Sequence, residues 1–283
     1  MAQKTIDDSM HGLSCDEIAA AFDTLAADNP IFQWMHSRIQ QVAASIFQGN
    51  KRILEVGCGT GTEALFFARQ GHHVSAIDPS LEMLAVAREK IVRAGFAEVV
   101  EFLQGSAECM ESLIEKYGAE SFDGIFSNFG ALNCVADLRR FAEGVNLLLR
   151  PAGKILLSIM PPICPWEIGY HLLHLQPAEA FRRWRGRTGA RGIPVLLGNR
   201  KIQARFHSRA DVITAFSPLF DLEKQFAFGL FVPPPYLHAM ARHQKLFGVM
   251  LRCEGLMVEW PLLRNWGDHL VMILGKRASA ERF

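Results

Sequence analysis

Three glycines spaced two apart, Gly57, Gly59 and Gly61, follow the apolar run Ile53-Leu54-Glu55-Val56 and lead into a helical pattern that begins at Thr62. A strand ending in glycines lets the chain turn where a Cβ would obstruct it. The backbone amides at the start of the next helix then point at whatever polar group approaches. The chemistry implied is the binding of a nucleotide or nucleoside. A nicotinamide fingerprint needs its third glycine where Thr62 stands. Glu55 is a second discriminator, because a carboxylate beside the glycine loop repels a pyrophosphate and attracts a ligand that carries a cationic group.

These two features favour S-adenosylmethionine over NAD, and the segment Glu55-Val56-Gly57-Cys58-Gly59-Thr60-Gly61 resembles the first motif of class I, Rossmann-like S-adenosylmethionine-dependent methyltransferases. The match runs in order from about Lys51 to Met160. By that resemblance Asp78, followed by Pro79 and 17 residues beyond Gly61, accepts hydrogen bonds from the ribose hydroxyls. Met83 is then the apolar contact to adenine, a place where methionine also serves as core. Gln104-Gly105-Ser106-Ala107-Glu108 resembles the adenine-binding turn, with Ser106 where the family commonly has aspartate. A hydroxyl accepts more weakly than a charged group. Asn128 and Phe129, in the loop after Phe122-Asp123-Gly124-Ile125-Phe126-Ser127, are implied to line the cofactor pocket. That loop reads Asn-Phe-Gly-Ala and lacks the paired prolines of enzymes that methylate nucleic-acid bases. Leu149-Arg150-Pro151-Ala152-Gly153-Lys154 resembles the family's turn into the fifth strand, which is commonly written with two glycines.

Methyl transfer from a sulfonium is an in-line displacement governed by placement of the two reactants, and a base is needed only when the nucleophile must lose a proton. No catalytic residue is assigned. Trp166, Tyr170, His171 and His174, together with Tyr236 and His238, are candidate substrate contacts. Each histidine is able to deprotonate a phenol or carboxyl group, and each is equally at home hydrogen-bonded to its neighbours. His72 and His73 point to opposite faces of a strand and have no third ligand at metal spacing, so no metal site is expected. The arginines 182, 183, 185, 187 and 191 around Trp184 read as a solvated run, with an acidic substrate or an anionic membrane surface as the sharper alternative.

The elements that must position these residues alternate in strand and helix patterns from KRILEVG to GKILLSIM, five steps that require a parallel sheet wrapped by helices. Two helices are expected before the first strand. One is opened by a capping box from Ser14 to Glu17, and the other has Pro30 in its first turn. After Met160 come a helical stretch to about residue 186 and two strands about a Gly198-Asn199 turn. A helix (RADVITAF), a strand (FDLEKQFAFGLFV), a proline-marked helical segment from Pro233 to about Leu263 and a closing strand HLVMILGKR follow. The expected fold is a Rossmann-like, doubly wound, mainly parallel seven-stranded sheet with an antiparallel last strand. It is read as one domain over residues 1–283, with an N-terminal helical segment 1–50, a cofactor-binding core 51–160, and cap insertions 161–212 and 233–264.

Thirty lysines and arginines against 29 aspartates and glutamates give a net charge of +1, so no global positive field marks a nucleic-acid partner. The six cysteines show no CxxC pair and read as reduced thiols. No apolar run reaches the ~18 residues of a membrane span, and the start lacks a signal-peptide layout, so a cytoplasmic protein is expected. Twenty phenylalanines suggest an unusually apolar interior or pocket. The function expected is methyl transfer from S-adenosyl-L-methionine to a small acceptor, apolar, aromatic or lipid-like, with oxygen favoured and carbon or nitrogen as alternatives. A non-catalytic nucleoside-binding or scaffold protein of the same fold is the second reading, and an NAD-dependent oxidoreductase the third.

Overall fold

The computed structural model describes residues 15–188, 192–197 and 200–278. Helix α1 (Cys15–Ala27) and helix α2 (Pro30–Ile46) precede the first strand. Helix α2 starts at Pro30, and Asn29 caps it by accepting from the amides of Ile31 and Phe32 through its Oδ1. Ser14, the expected cap of α1, and the expected turn at Gly198-Asn199 lie outside the described residues.

The alternation of residues 51–160 is realised as β1 (Arg52–Val56), α3 (Thr62–Arg69), β2 (His73–Asp78), α4 (Leu81–Arg93), β3 (Val100–Gln104), α5 (Met110–Tyr117), β4 (Phe122–Ser127), α6 (Leu138–Leu148) and β5 (Leu149–Ile159). All four pairings among these strands are parallel. Beyond them lie α7 (Pro165–Leu173), α8 (Pro177–Ala180), α9 (Arg182–Thr188), the antiparallel pair β6 (Ile193–Leu197) and β7 (Arg200–Ala204), α10 (Arg209–Phe216) and β8 (Phe220–Phe228). A 3-10 helix (Pro235–Arg242), α11 (Gln244–Met257) and β9 (His269–Lys276) complete the described chain. The segment expected to be helical from Pro233 starts two residues later, because a residue followed by proline is pushed out of the helical region, and Pro234 is held extended at ψ 152°.

The seven-stranded sheet has the order β3-β2-β1-β4-β5-β9-β8, with the last strand antiparallel. The direction of winding reverses between β1 and β4, and open α/β sheets bind ligands at the carboxyl ends of strands at such a switch point. The core beneath that point is aromatic. Phe67 meets Phe126 edge-on at 5.1 Å and Phe47 at 5.9 Å. Gly124 in β4 is what admits Phe47, since a Cβ there would lie 2.4 Å from its ring.

By its contacts the chain forms two compact units. Of the described residues, one comprises those within 40–158, 210–225 and 272–278, and the other those within 15–39, 159–209 and 226–271. The second unit has a charged centre. Arg183 donates to Glu167 Oε2 at 2.8 Å, to Asp268 Oδ1 at 2.7 Å and to the Asp268 carbonyl at 2.9 Å, while Arg182 donates to Glu167 Oε1 at 2.5 Å. Burial would raise both acids, but Arg183 holds Glu167 below the usual carboxylate range, and His269 with Arg183 does the same for Asp268. The expectation of a solvated arginine run is corrected here. Arg183 is buried and Arg182 half-buried because each meets an acid remote in sequence, and Arg185 and Arg187 alone of the described arginines in that run are exposed.

Candidate functional site

The three glycines do different work. At Gly57 a Cβ would fall 2.3 Å from the Ala131 Cβ, so the loop after β4 packs directly on the turn. At Gly61 it would fall 2.9 Å from the Ala87 Cβ, which brings α4 close to the start of α3. Gly59 has no atom within 4 Å of that position and a φ of +50°, leaving its outer face open to a ligand. The amides of Gly57 and Cys58 both donate to the Ile77 carbonyl, at 2.8 and 3.0 Å, which ties the turn to the end of β2.

Asp78 ends β2 and is 9% exposed. Its Oδ2 accepts from the Gly59 amide at 2.9 Å and its Oδ1 from the Ser80 amide at 2.9 Å. The same side chain therefore shapes the glycine loop and presents its remaining lone pairs beside it. Burial raises its pKa against the pull of those two donors. Ser80 caps α4 by accepting from the Met83 amide at 3.2 Å, which fixes Met83 in the first turn, largely buried. Pro79 offers its carbonyl to Gln104 of β3.

Glu55 lies one residue from the end of β1, 2% exposed, with its Oε2 lacking any hydrogen-bond partner. Burial, then the neighbouring Glu63 and Asp78, push its pKa well up, with Lys90 opposing them. Cys58 is buried and its thiol is likewise pushed up by burial. At the end of β4, Ser127 Oγ donates to the Val56 carbonyl at 2.9 Å and clamps the two strand ends together. Asn128 follows, buried, with neither its Oδ1 nor its Nδ2 partnered. Phe129 adopts φ +47°, an unfavourable region for a side-chain-bearing residue and one that concentrates at functional loops.

In the turn after β3, Ser106 Oγ accepts from the Glu108 amide at 3.3 Å, Ala107 is buried, and Glu108 Oε1 accepts from the Ala136 amide at 3.0 Å. The structure thus places Glu55, the glycine loop, Asp78 and Asn128 at the carboxyl ends of β1, β2 and β4, and the Ser106 turn at that of β3. All belong to one unit.

Trp166, Tyr170, His171, His174, Tyr236 and His238 all belong to the other unit. Tyr170 stands at the centre of most of them, with ring centroids 4.3 Å from His174, 5.3 Å from His171 and 6.3 Å from Tyr236. His171 Nδ1 lies 2.9 Å from Gln176 Oε1, and His174 Nδ1 lies 2.8 Å from the Tyr170 carbonyl. Tyr236 Oη and His238 Nδ1 are buried and unpartnered, and burial followed by the charge of Glu167 raises the Tyr236 phenol.

Sequence reasoning missed Lys90, Ser127 and Glu254. Lys90 donates to Thr60 Oγ1 and Thr62 Oγ1 across the glycine loop, and its spacing of seven from Met83 on one helix face was the available signal. Glu254 accepts from four successive amides, Gly229 to Val232, at 2.7 to 3.3 Å.

A buried carboxylate with one orphaned oxygen, an orphaned buried amide and a glycine open on one side fit S-adenosylmethionine, which offers an ammonium group, ribose hydroxyls and a carboxylate. The profile of a methyltransferase domain family matches residues 53–153, the segment that holds every one of these groups. Over residues 53–153 the chain is similar to class I S-adenosylmethionine-dependent methyltransferases. A demethylmenaquinone methyltransferase from Clavibacter sepedonicus is 31% identical over 162 residues, covering 56% of this chain and 61% of that protein. A ubiquinone biosynthesis O-methyltransferase from Xanthomonas axonopodis pv. citri is 30% identical over 156 residues, covering 54% and 62%. The chain therefore spans about three fifths of the length of these two curated relatives. Among solved structures, phosphoethanolamine N-methyltransferase 2 of Haemonchus contortus with bound S-adenosyl-L-methionine shares the fold at a TM-score of 0.60. It is 16% identical and covers 93% of this chain and 57% of that one.

Proposed function

We propose that this protein is a methyltransferase that transfers a methyl group from S-adenosyl-L-methionine to a small apolar or aromatic acceptor, with oxygen the favoured atom and carbon or nitrogen the alternatives. The observation that carries the reading is the convergence of Asp78, the glycine loop and two buried side chains with unmet hydrogen-bonding capacity, Glu55 and Asn128. When bound, the cosubstrate supplies a methyl group on a positively charged sulfur. Asp78 holds the ribose hydroxyls against the glycine loop, and Glu55 meets the cationic end with an ionised carboxylate. Asn128 supplies an acceptor and a donor pair to the amino-acid portion, and Phe129 bounds the same pocket. Met83 and the Ser106-Ala107-Glu108 turn flank the base.

Acceptor choice is assigned to Trp166, Tyr170, His171, His174, Tyr236 and His238, among which the unpartnered Tyr236 hydroxyl and His238 ring are suited to an oxygen-bearing ring. Two relatives named for quinones support an acceptor of that apolar, ring-containing kind. Placement of reactants does most of the work in such a displacement, so no general base is invoked.

The test is calorimetric titration with S-adenosylhomocysteine and, in parallel, NADH. Micromolar binding of the first alone supports the reading; binding of NADH alone, or of neither, overturns it. Turnover with radiolabelled methyl donor and hydroxylated aromatic acceptors then separates an enzyme from a protein that only binds the nucleoside.

A further inference from the structure

Two helices of the unit that contains the Arg183 network are built inside out. In α11 the one buried residue is Glu254, while Leu246, Val249 and Leu256 are exposed. In α7 the one buried residue is Glu167, and Leu172 and Leu173 stand in solvent. An amphipathic helix of a water-soluble domain does the reverse, burying its apolar stripe and exposing its charges. The segments that follow continue the pattern. Leu175, Phe181 and Trp184 are exposed after α7, and Trp260, Leu262 and Trp266 after α11, with Leu173, Leu175 and Leu262 each more than 80% exposed.

Isolated exposed leucines need no explanation, but eleven large apolar side chains drawn from two short stretches of one unit do. The charges among them narrow the occupant. Across residues 161–188 and 233–267, Arg185, Arg187, Arg242, Lys245 and Arg252 are exposed, against only Glu179 and Glu259 of opposite sign. Leucine, phenylalanine and tryptophan interleaved with cations are the composition of a surface that lies in the headgroup region of an anionic bilayer. No helix among the described residues is long and apolar enough to cross a membrane.

We propose that α7 to α9 and α11 with the segment to Trp266 form a peripheral membrane-binding surface. On it, the exposed leucines and tryptophans enter the acyl boundary and the arginines meet anionic headgroups. This inference does not rest on the methyl-transfer reading, and its test needs no cosubstrate.

The full chain is sedimented with vesicles of phosphatidylcholine containing phosphatidylglycerol, and with vesicles of phosphatidylcholine alone. The proposal expects binding to the anionic vesicles that weakens as salt is raised. It also expects a loss of about tenfold or more in the double variant Leu173→Ser/Leu262→Ser and in Arg185→Gln/Arg187→Gln. All four side chains are exposed, and unchanged circular dichroism and urea-unfolding midpoints confirm that the variants fold. Absence of binding to anionic vesicles, or binding indifferent to both variants, overturns it. Light scattering without lipid covers the rival occupant: a dimer that Leu173→Ser/Leu262→Ser dissociates, with no vesicle binding, assigns the surface to a second copy of this chain.

Discussion

Glu55 is a carboxylate with almost no access to water and one oxygen unpartnered, so its ionised form is disfavoured until a cation arrives. Its folded pKa lies above its unfolded one. The protonated form is therefore preferred by the fold, and stability is greatest below the ordinary carboxylate range and declines as pH rises through the two values. Replacing it with the uncharged isostere removes that decline. Glu55→Gln is expected to raise urea resistance of the ligand-free protein at pH 8 by on the order of 1 kcal/mol. It should also weaken binding of S-adenosylmethionine by on the order of 1–3 kcal/mol, read by calorimetry. A variant that is less stable and binds equally well would refute the assignment. The charge of Glu55 and its place beside the glycines were legible in the sequence. Its isolation was not, because that depends on burial and on the approach of Glu63 and Asp78, which come from other elements. Arg183 shows the same limit, since its partners lie 16 and 85 residues away, beyond any local pattern.

At the scale of elements, β5 carries a defect that its sequence announces. The register of β4 with β5 passes from Phe122 opposite Leu149 to Gly124 opposite Lys154, so Pro151, Ala152 and Gly153 bulge from the strand. Ala152 sits there at φ +60°, at a turn the family commonly writes with two glycines. A left-handed conformation opposes a Cβ by about 1–2 kcal/mol, and part of the relief on removing it is returned as extra freedom of the unfolded chain. Ala152→Gly is expected to stabilise the fold by about 0.5 kcal/mol, a rise in melting temperature with S-adenosylhomocysteine affinity unchanged. The Arg183 network has the opposite sensitivity, because it joins α7, α9 and the segment before β9. Arg183→Met leaves Glu167 with Arg182 and Asp268 with His269 in place of a shared buried guanidinium, and a loss of about 3 kcal/mol in urea unfolding is expected. A loss below ~1 kcal/mol would mean the acids find water once the guanidinium is gone. The periodic elements of residues 51–160 were readable because each strand and helix advertises itself within a few residues. The inverted α7 and α11 were not, since an apolar run reads as buried until the structure shows which face is turned inward.

The two compact units could not be read from the chain order, because one is assembled from three stretches separated by more than a hundred and by sixteen residues, joined by contacts with no sequence period. The candidate cofactor residues, by contrast, lie within Glu55 to Phe129 of a single unit, so on that assignment ligand binding and folding are coupled through one stretch. A ligand at a hundredfold excess over its Kd stabilises the state it binds by about 2.7 kcal/mol. Here that gain must itself depend on pH. At low pH, Glu55 of the free protein holds a proton that a cationic ligand has to displace. At higher pH it is already ionised and the ligand meets a ready partner. The rise in melting temperature produced by a fixed excess of S-adenosylhomocysteine is therefore expected to grow as pH climbs above the ordinary carboxylate range. It should level off once Glu55 is ionised without ligand. Glu55→Gln should give a smaller rise with that growth abolished, measured in the same buffers by thermal unfolding. If the variant retains the full pH dependence, the titrating group is the buried Asp78, whose pKa is also raised, and Asp78→Asn becomes the variant that flattens the profile.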